Sequence, residues 1–262
     1  MSGPQFPNNF SLLHQEEEKL RAKSIEAIEA SDVLVEHAIF IEISMSLINY
    51  MSREYITIDP NELLVQHLGA RLFNGGACAL NLLLAGYYQN SALIQRDLLE
   101  TLFLLDFFTL DKSAIARWRD LPPKQRWNEF GPAKIRQKLD ERDGFTTRRR
   151  QADYDLLCEL AGHPTPQGFV MLKPSGMDAH VGPFFDDTAL QAVLSELAKH
   201  IGNAAAQINC LCATGQVAHL EIKISFTEAQ YRWFRKFFGR QIDQTPLEKM
   251  RRLFAAYKHS QS

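Results

Sequence analysis

Arg96 and Glu100 stand four residues apart in the most apolar stretch of the chain. That spacing puts them on one helical face, and Phe103 and Phe107 continue nearly the same stripe. An ion pair in apolar surroundings rarely repays its desolvation. Two readings follow. Either the pair is an internal bridge that fixes helix register, or Arg96 holds an anionic group that Glu100 orients or deprotonates. His163, in Gly162-His163-Pro164, follows a helix end. A protonated imidazole is favoured there by the helix dipole and titrates near neutral pH. Glu100 and His163 are therefore the candidate acid–base residues, although a histidine in that position also serves simply to cap carbonyls. Arg148, Arg149 and Arg150 form a third cluster. Behind Thr146 and Thr147 they fall in the first turn of a helix, where positive charge opposes the dipole. A bound phosphate or carboxylate, or acidic residues of a partner, relieves that repulsion. A helix beginning nearer Asp143 leaves the three arginines merely solvated. Arg96 and Arg148 to Arg150 are the candidate anion-binding residues.

Those residues need helices to position them. Apolar spacings of three and four recur from Val33 through Ile48, and the stretch 91–109 is apolar around nearly its whole circumference, as in a helix at the centre of a bundle. Asp59-Pro60-Asn61 marks a stop and restart. The following stretch, about 62–88, is dense in small residues, including Gly69, Gly75, Gly76 and Ala79, which let a neighbouring helix approach closely. Pro122-Pro123 breaks the chain again, and Pro132 kinks or restarts it. Gly162 and Pro164 close the helix that begins near 147. Residues 162–186 hold four glycines and four prolines, and predict an irregular insert or a small β-hairpin pairing 169–172 with 177–181. A long helix from Asp187 or Thr188 has the cleanest apolar stripe. Leu220, Ile222 and Ile224 alternate with charge, which favours a short strand without excluding helix. Thr227-x-x-Gln230 and Thr245-Pro246-Leu247-Glu248 read as capping boxes of two final helices. The expected fold is an all-α bundle in one domain spanning 1–262, with a C-terminal helical hairpin as a subregion at 226–262.

Composition narrows the function. Four cysteines are too few for a disulfide framework, and Cys210-x-Cys212 reads as two buried thiols. No metal site and no cofactor is expected. Phosphate-loop, dinucleotide, zinc-protease and serine-hydrolase motifs are absent. Met1 to Phe10 is polar, with no basic segment leading into an apolar one, so a secretory signal is not expected. The greasy segments 33–50, 72–88 and 98–110 are each interrupted by charged or small polar residues, so no membrane span is expected and the cytoplasm is the default location. The net charge of −2 hides a sorted distribution. Residues 112–150 carry 12 basic against 5 acidic side chains, and 231–262 carry 8 against 2, while 1–60 carry 4 against 10. The basic blocks also hold Trp118, Trp127, Phe130, Trp233 and several phenylalanines. Basic residues mixed with aromatics fit single-stranded nucleic acid. They equally fit amphipathic helices that pair with the acidic blocks, within one subunit or across a dimer.

The run from about Gly86 to Gly182 resembles a group of bacterial helical proteins of unknown function. The residues that carry the likeness are Ala92-Leu93-Ile94-Gln95-Arg96-Asp97-Leu98-Leu99-Glu100, the basic stretch with Trp118 and Phe130-Gly131-Pro132, and Tyr154 leading to Glu159-Leu160-Ala161-Gly162-His163-Pro164. Some such proteins are similar to HEPN-type helical domains, many of them ribonucleases with an Arg-x(4–6)-His motif. No arginine stands at that spacing before His163, whereas Arg252 and His259 have it by a spacing common enough to arise by chance. Three functions follow, in order. The first is binding of a partner protein or self-association as a homo-oligomer, with an accompanying anion site, through the exposed faces of 11–29 and 227–258. The second is nucleic-acid binding, with or without ribonuclease activity. The third is an enzyme whose anionic substrate is held by Arg96 and worked on by Glu100 and His163.

Overall fold

The computed structural model describes residues 7–175, 177–212 and 217–261. It is all-helical, with no strand among them. In chain order the helices are α1 (Asn8–Glu29), α2 (Asp32–Arg53), α3 (Pro60–Leu84), α4 (Tyr88–Leu110), α5 (Ser113–Asp120), α6 (Pro123–Phe130), α7 (Pro132–Arg142), α8 (Arg149–Leu157), α9 (Asp187–Leu211), α10 (Leu220–Phe238) and α11 (Thr245–Gln261). The restart at Asp59 works as its sequence suggests: its carboxylate accepts the Asn61 N–H at 2.8 Å and Pro60 opens the helix. Pro132 likewise starts α7 rather than kinking a longer helix.

The core is built around α3, α4 and α9, with α2 packed on α3 and α9. The stretch 91–109 is the buried rod that its composition implies: Leu98, Leu105 and Phe108 of α4 are essentially inaccessible. The glycines of α3 set its spacing to two neighbours. A Cβ on Gly75 would stand 2.6 Å from Leu98 Cδ2 of α4, and one on Gly76 would stand 2.7 Å from Ile201 Cδ1 of α9. Glycine lowers helix propensity by up to about 1 kcal/mol, and this interlock of three helices offsets it. By length and composition alone α2 is apolar enough to cross a membrane. Here Phe40, Leu47, Ile48 and Met51 of α2 sit in the bundle core.

Two local expectations fail for physical reasons. Residues 162–186 form the irregular insert and not the hairpin. Phe169 to Leu172 wind into a 3-10 turn at Gly168–Leu172, and Phe169 and Val170 are half-exposed or more, so the run has no apolar face to pair. Among the described residues one backbone bond joins the two runs, His180 N–H to Leu172 O at 2.8 Å. Gly176, the tip of the expected hairpin, lies outside the described residues. Leu220 to Ile224 are helical. The buried set Leu220, Lys223, Phe226 and Thr227 has the helical period, which is invisible while Lys223 is counted as an outward charge. Its Nζ lies inside because it donates to Asn209 O at 3.2 Å and Cys212 O at 3.4 Å, closing the C-terminus of α9. Thr227 is consequently mid-helix, its hydroxyl donating to Lys223 O at 2.8 Å, and does not cap. Gly239 ends α10 in the left-handed conformation, φ +60°, as a C-terminal glycine should.

Candidate anion-binding cavity

α4 faces α7 across a cavity of about 450 Å³, which α5 and α6 wall on the outer side. From α4 come Glu100, Phe103 and Leu104. Arg136 comes from α7, and Trp118, Arg126, Trp127 and Phe130 come from the α5–α6 hairpin. Ile135 and Leu139 turn α7 inward, and Arg136, next to them, is carried in as well: it is 5% exposed. Its Nε donates to Gln151 Oε1 at 2.9 Å, and its guanidinium lies 4.1 Å over the ring of Tyr154. Nη1 has no hydrogen-bond partner, and among the described residues no carboxylate pairs with this cation. Arg126 is held by Leu121 O at 2.9 Å and lies 5.1 Å over Trp118, while its buried Nε is also without a partner. Arg71, at the other edge, is neutralised by Asp97 at 2.7 Å and reaches Thr101 Oγ1 at 3.2 Å. Trp127 is 69% exposed at the wall.

Behind Glu100 lies a four-residue cluster. The Tyr154 hydroxyl accepts from Arg96 and donates to Glu100 Oε1 at 2.6 Å. Arg96 stands 3.7 Å from the same oxygen and gives its Nε–H to Cys158 Sγ at 3.0 Å. Burial, reinforced by the bond to Glu100, pushes the Tyr154 phenol up to about 12, so it remains a donor. The bond to Cys158, more than the nearby carboxylate, holds Arg96 above its ordinary value. Cys158 reaches this place because α8 runs on into a π turn, Cys158–Gly162, with His163 N–H donating to Cys158 O at 3.0 Å. A Cβ on Gly162 would press on Arg96 Cδ at 3.3 Å, so the turn closes tightly over that side chain. Such turns recur at functional sites.

The candidates from sequence separate. Glu100 lines the cavity, and Arg96 stands behind it. His163 is exposed and is not part of the wall. Arg149 begins α8 and Arg148 stands at its N-cap position without a capping side-chain bond, so the helix starts later than expected and neither Thr146 nor Thr147 caps it. Arg150, however, is matched inside its own subunit by Asp140 at 2.8 Å, by Asp143, and by Asp106 at 3.7 Å. Arg149 lies over Phe145 at 5.1 Å, and Arg148 is exposed. Arg126 and Arg136 were not singled out in the sequence. Their signal is faint: Arg136 sits one residue from Ile135 and four from Asp140, so charge falls beside the inward stripe of a short helix.

Part of the basic blocks is paired within the chain. Arg117 meets Asp111 and Glu129, Arg142 meets Asp106 and Asp143, Arg232 and Lys236 meet Glu36, and Arg251 meets Glu228. Arg252, of the Arg252–His259 spacing, lies 3.9 Å from Glu248 on α11 and is 84% exposed. Cys212 is buried and Cys210 exposed. Among the described residues no group of three or more His, Cys, Asp or Glu could hold a metal ion. A second, apolar groove of about 640 Å³ lies between α1, α2 and α3, floored by Ile41, Met45 and Phe73 with Glu29 and Glu42 at its rim.

Comparison with protein-family models, with curated proteins and with solved structures finds no match.

Proposed function

We propose that this protein binds a small organic anion in the cavity between α4 and α7. The observation that carries the reading is Arg136: a cation buried in the cavity wall, with no ion-pair partner among the described residues and with Nη1 without a hydrogen bond. An unpaired buried charge destabilises a fold unless something offsets it. A carboxylate or phosphate entering the cavity supplies the missing charge through the geometry a guanidinium favours. The volume is within the range of small-molecule sites, and the aromatic walls suit an apolar body. Anion binding thus moves from Arg148–Arg150, whose charge is partly matched internally, to Arg136 with Arg126 beside it. Arg117, Arg142, Arg150, Arg232 and Arg251, which a nucleic-acid surface would need free, are taken up by carboxylates of the same chain.

The test is titration of tryptophan fluorescence with 3-phenylpropionate and with its neutral amide, since Trp118 and Trp127 line the cavity. The acid is expected to give a saturable change at concentrations up to about 10 mM, the amide none, and Arg136→Met is expected to abolish the response. Equal binding of acid and amide, or no binding of either, overturns the reading.

A second reading, association of two copies, is favoured by charge complementarity. α11 carries exposed Leu253 among basic residues, and the groove beside α1 is apolar with acidic rims. Light scattering across a concentration series tests it: a rise toward the dimer mass that added salt reverses supports it, and a constant monomer mass removes it.

A further inference from the structure

The cavity has a second charged wall. Tyr154 stands between the two: Arg136 lies over its ring at 4.1 Å, and Glu100 accepts its hydroxyl at 2.6 Å. The unpaired cation and the carboxylate are therefore about one phenol apart. Glu100 receives the phenol on Oε1, and Arg96 lies near the same oxygen at 3.7 Å, so Oε2 keeps its lone pairs for another donor. Beyond these two groups the wall carries Phe103, Leu104, Trp118 and Phe130, together with Arg126, which is stacked on Trp118, and Arg71, which is paired with Asp97.

We infer that the ligand is a free α-amino acid with a large apolar or aromatic side chain, its carboxylate on Arg136, its ammonium on Glu100 and its side chain against Phe103, Trp118 and Phe130. This rests on the anion reading above and narrows it. The closeness of the two protein charges decides the class. One carbon bearing both an ammonium and a carboxylate spans them, whereas a nucleotide, with its phosphate and base edge far apart, does not. A peptide N-terminus brings no carboxylate and leaves Arg136 without an anion, while a peptide C-terminus brings no ammonium and leaves Glu100 Oε2 without a donor, although Arg96 and Tyr154 already hold Oε1. The aromatic faces and Leu104 then favour a bulky side chain over a small one. Tyr154 is a positioning residue. Its O–H fixes Glu100 Oε1, and its ring carries Arg136.

The experiment is calorimetric titration of the full chain with L-phenylalanine, 3-phenylpropionate and phenethylamine, repeated on Glu100→Gln, with circular dichroism to confirm the fold. Phenylalanine is expected to bind at least about tenfold tighter than 3-phenylpropionate, because it alone brings a carboxylate to Arg136 and an ammonium donor to Glu100 Oε2. Phenethylamine should bind weakest. Glu100→Gln is expected to bring the ratio of phenylalanine to 3-phenylpropionate affinity down toward one without weakening 3-phenylpropionate, a pattern that general loss of structure does not produce. If 3-phenylpropionate equals phenylalanine in the wild type, or if Glu100→Gln preserves their ratio, the amino-acid assignment is overturned and the anion reading stands. If none of the three binds, both fall.

Discussion

Arg136 and Arg150 are both drawn toward α7, and the fold treats them in opposite ways. Arg150 comes from α8 and closes on Asp140, Asp143 and Asp106, with Arg142 joined through the same carboxylates. Arg136, one turn earlier on α7 than Asp140, is the more buried and meets a glutamine, an aromatic ring and no carboxylate. The first arrangement is complete in itself: its charges cancel, and it ties α4, α7 and α8 together. The second is incomplete, and it borders a cavity. Burial of charge is thus no guide to function until its partners are counted. The paired arginine is structural, and the unpaired one is where the proposed anion would bind.

Acid should give the largest effect and separates that contrast from the rest of the bundle. His37 accepts the Trp233 indole N–H at 3.0 Å and stacks on Phe237, and His200 is enclosed in α9. Burial, with nearby lysines adding to it, pushes both down to about 4. A histidine depressed in the fold and near 6.5 when unfolded stabilises fully above pH 6.5, and the contribution is lost as pH falls toward 4, on the order of 3 kcal/mol for each fully buried ring. Asp143, held at about 2 by Arg142 and Arg150, keeps its contribution above pH 3.8 and loses it only from there toward 2. Urea unfolding between pH 7 and 4 is expected to show a falling free energy that His37→Gln reduces. A flat profile to pH 4 would assign the acid response to the aspartate network instead.

Arg150→Met comes next. It strands buried Asp140 beside Asp106 and Asp143, so it should cost about 3 kcal/mol in urea unfolding. A loss under 1 kcal/mol would mean that the network is no more than an exposed surface pair. Tyr154→Phe removes the hydroxyl that bridges Arg96 and Glu100 and should cost about 1 kcal/mol, with a several-fold weaker phenylalanine titration because Glu100 loses the bond that fixes it, while the ring under Arg136 is kept. Unchanged binding in that variant would detach Tyr154 from the site.

Much of this architecture is legible in the residues. The rod 91–109, the restart at Asp59-Pro60, the small-residue face of α3 and the glycine stop at 239 each follow from local chemistry that the tertiary structure does not override. What failed was read from side chains whose polarity hides their direction. Lys223 is inside because a helix terminus needs its N–H donors, and that need comes from α9, far from it in sequence. The hairpin at 162–186 failed because an apolar run is not a strand without a partner face. The site was half legible. Arg96 and Glu100 betray themselves as charge in an apolar helix, but Arg136 belongs to a short helix rich in charge, where one more arginine is no signal. Only the meeting of α4, α7 and α8 around Tyr154 distinguishes it from Arg150.

The most direct measurement is the unfolding free energy of Arg136→Met beside that of Arg150→Met in ligand-free protein. If Arg136 is kept for a ligand, replacing an unpaired buried cation by an apolar side chain of similar reach leaves stability within about 1 kcal/mol of wild type or raises it. A loss of about 3 kcal/mol, matching Arg150→Met, would make Arg136 a structural residue and contradict the account.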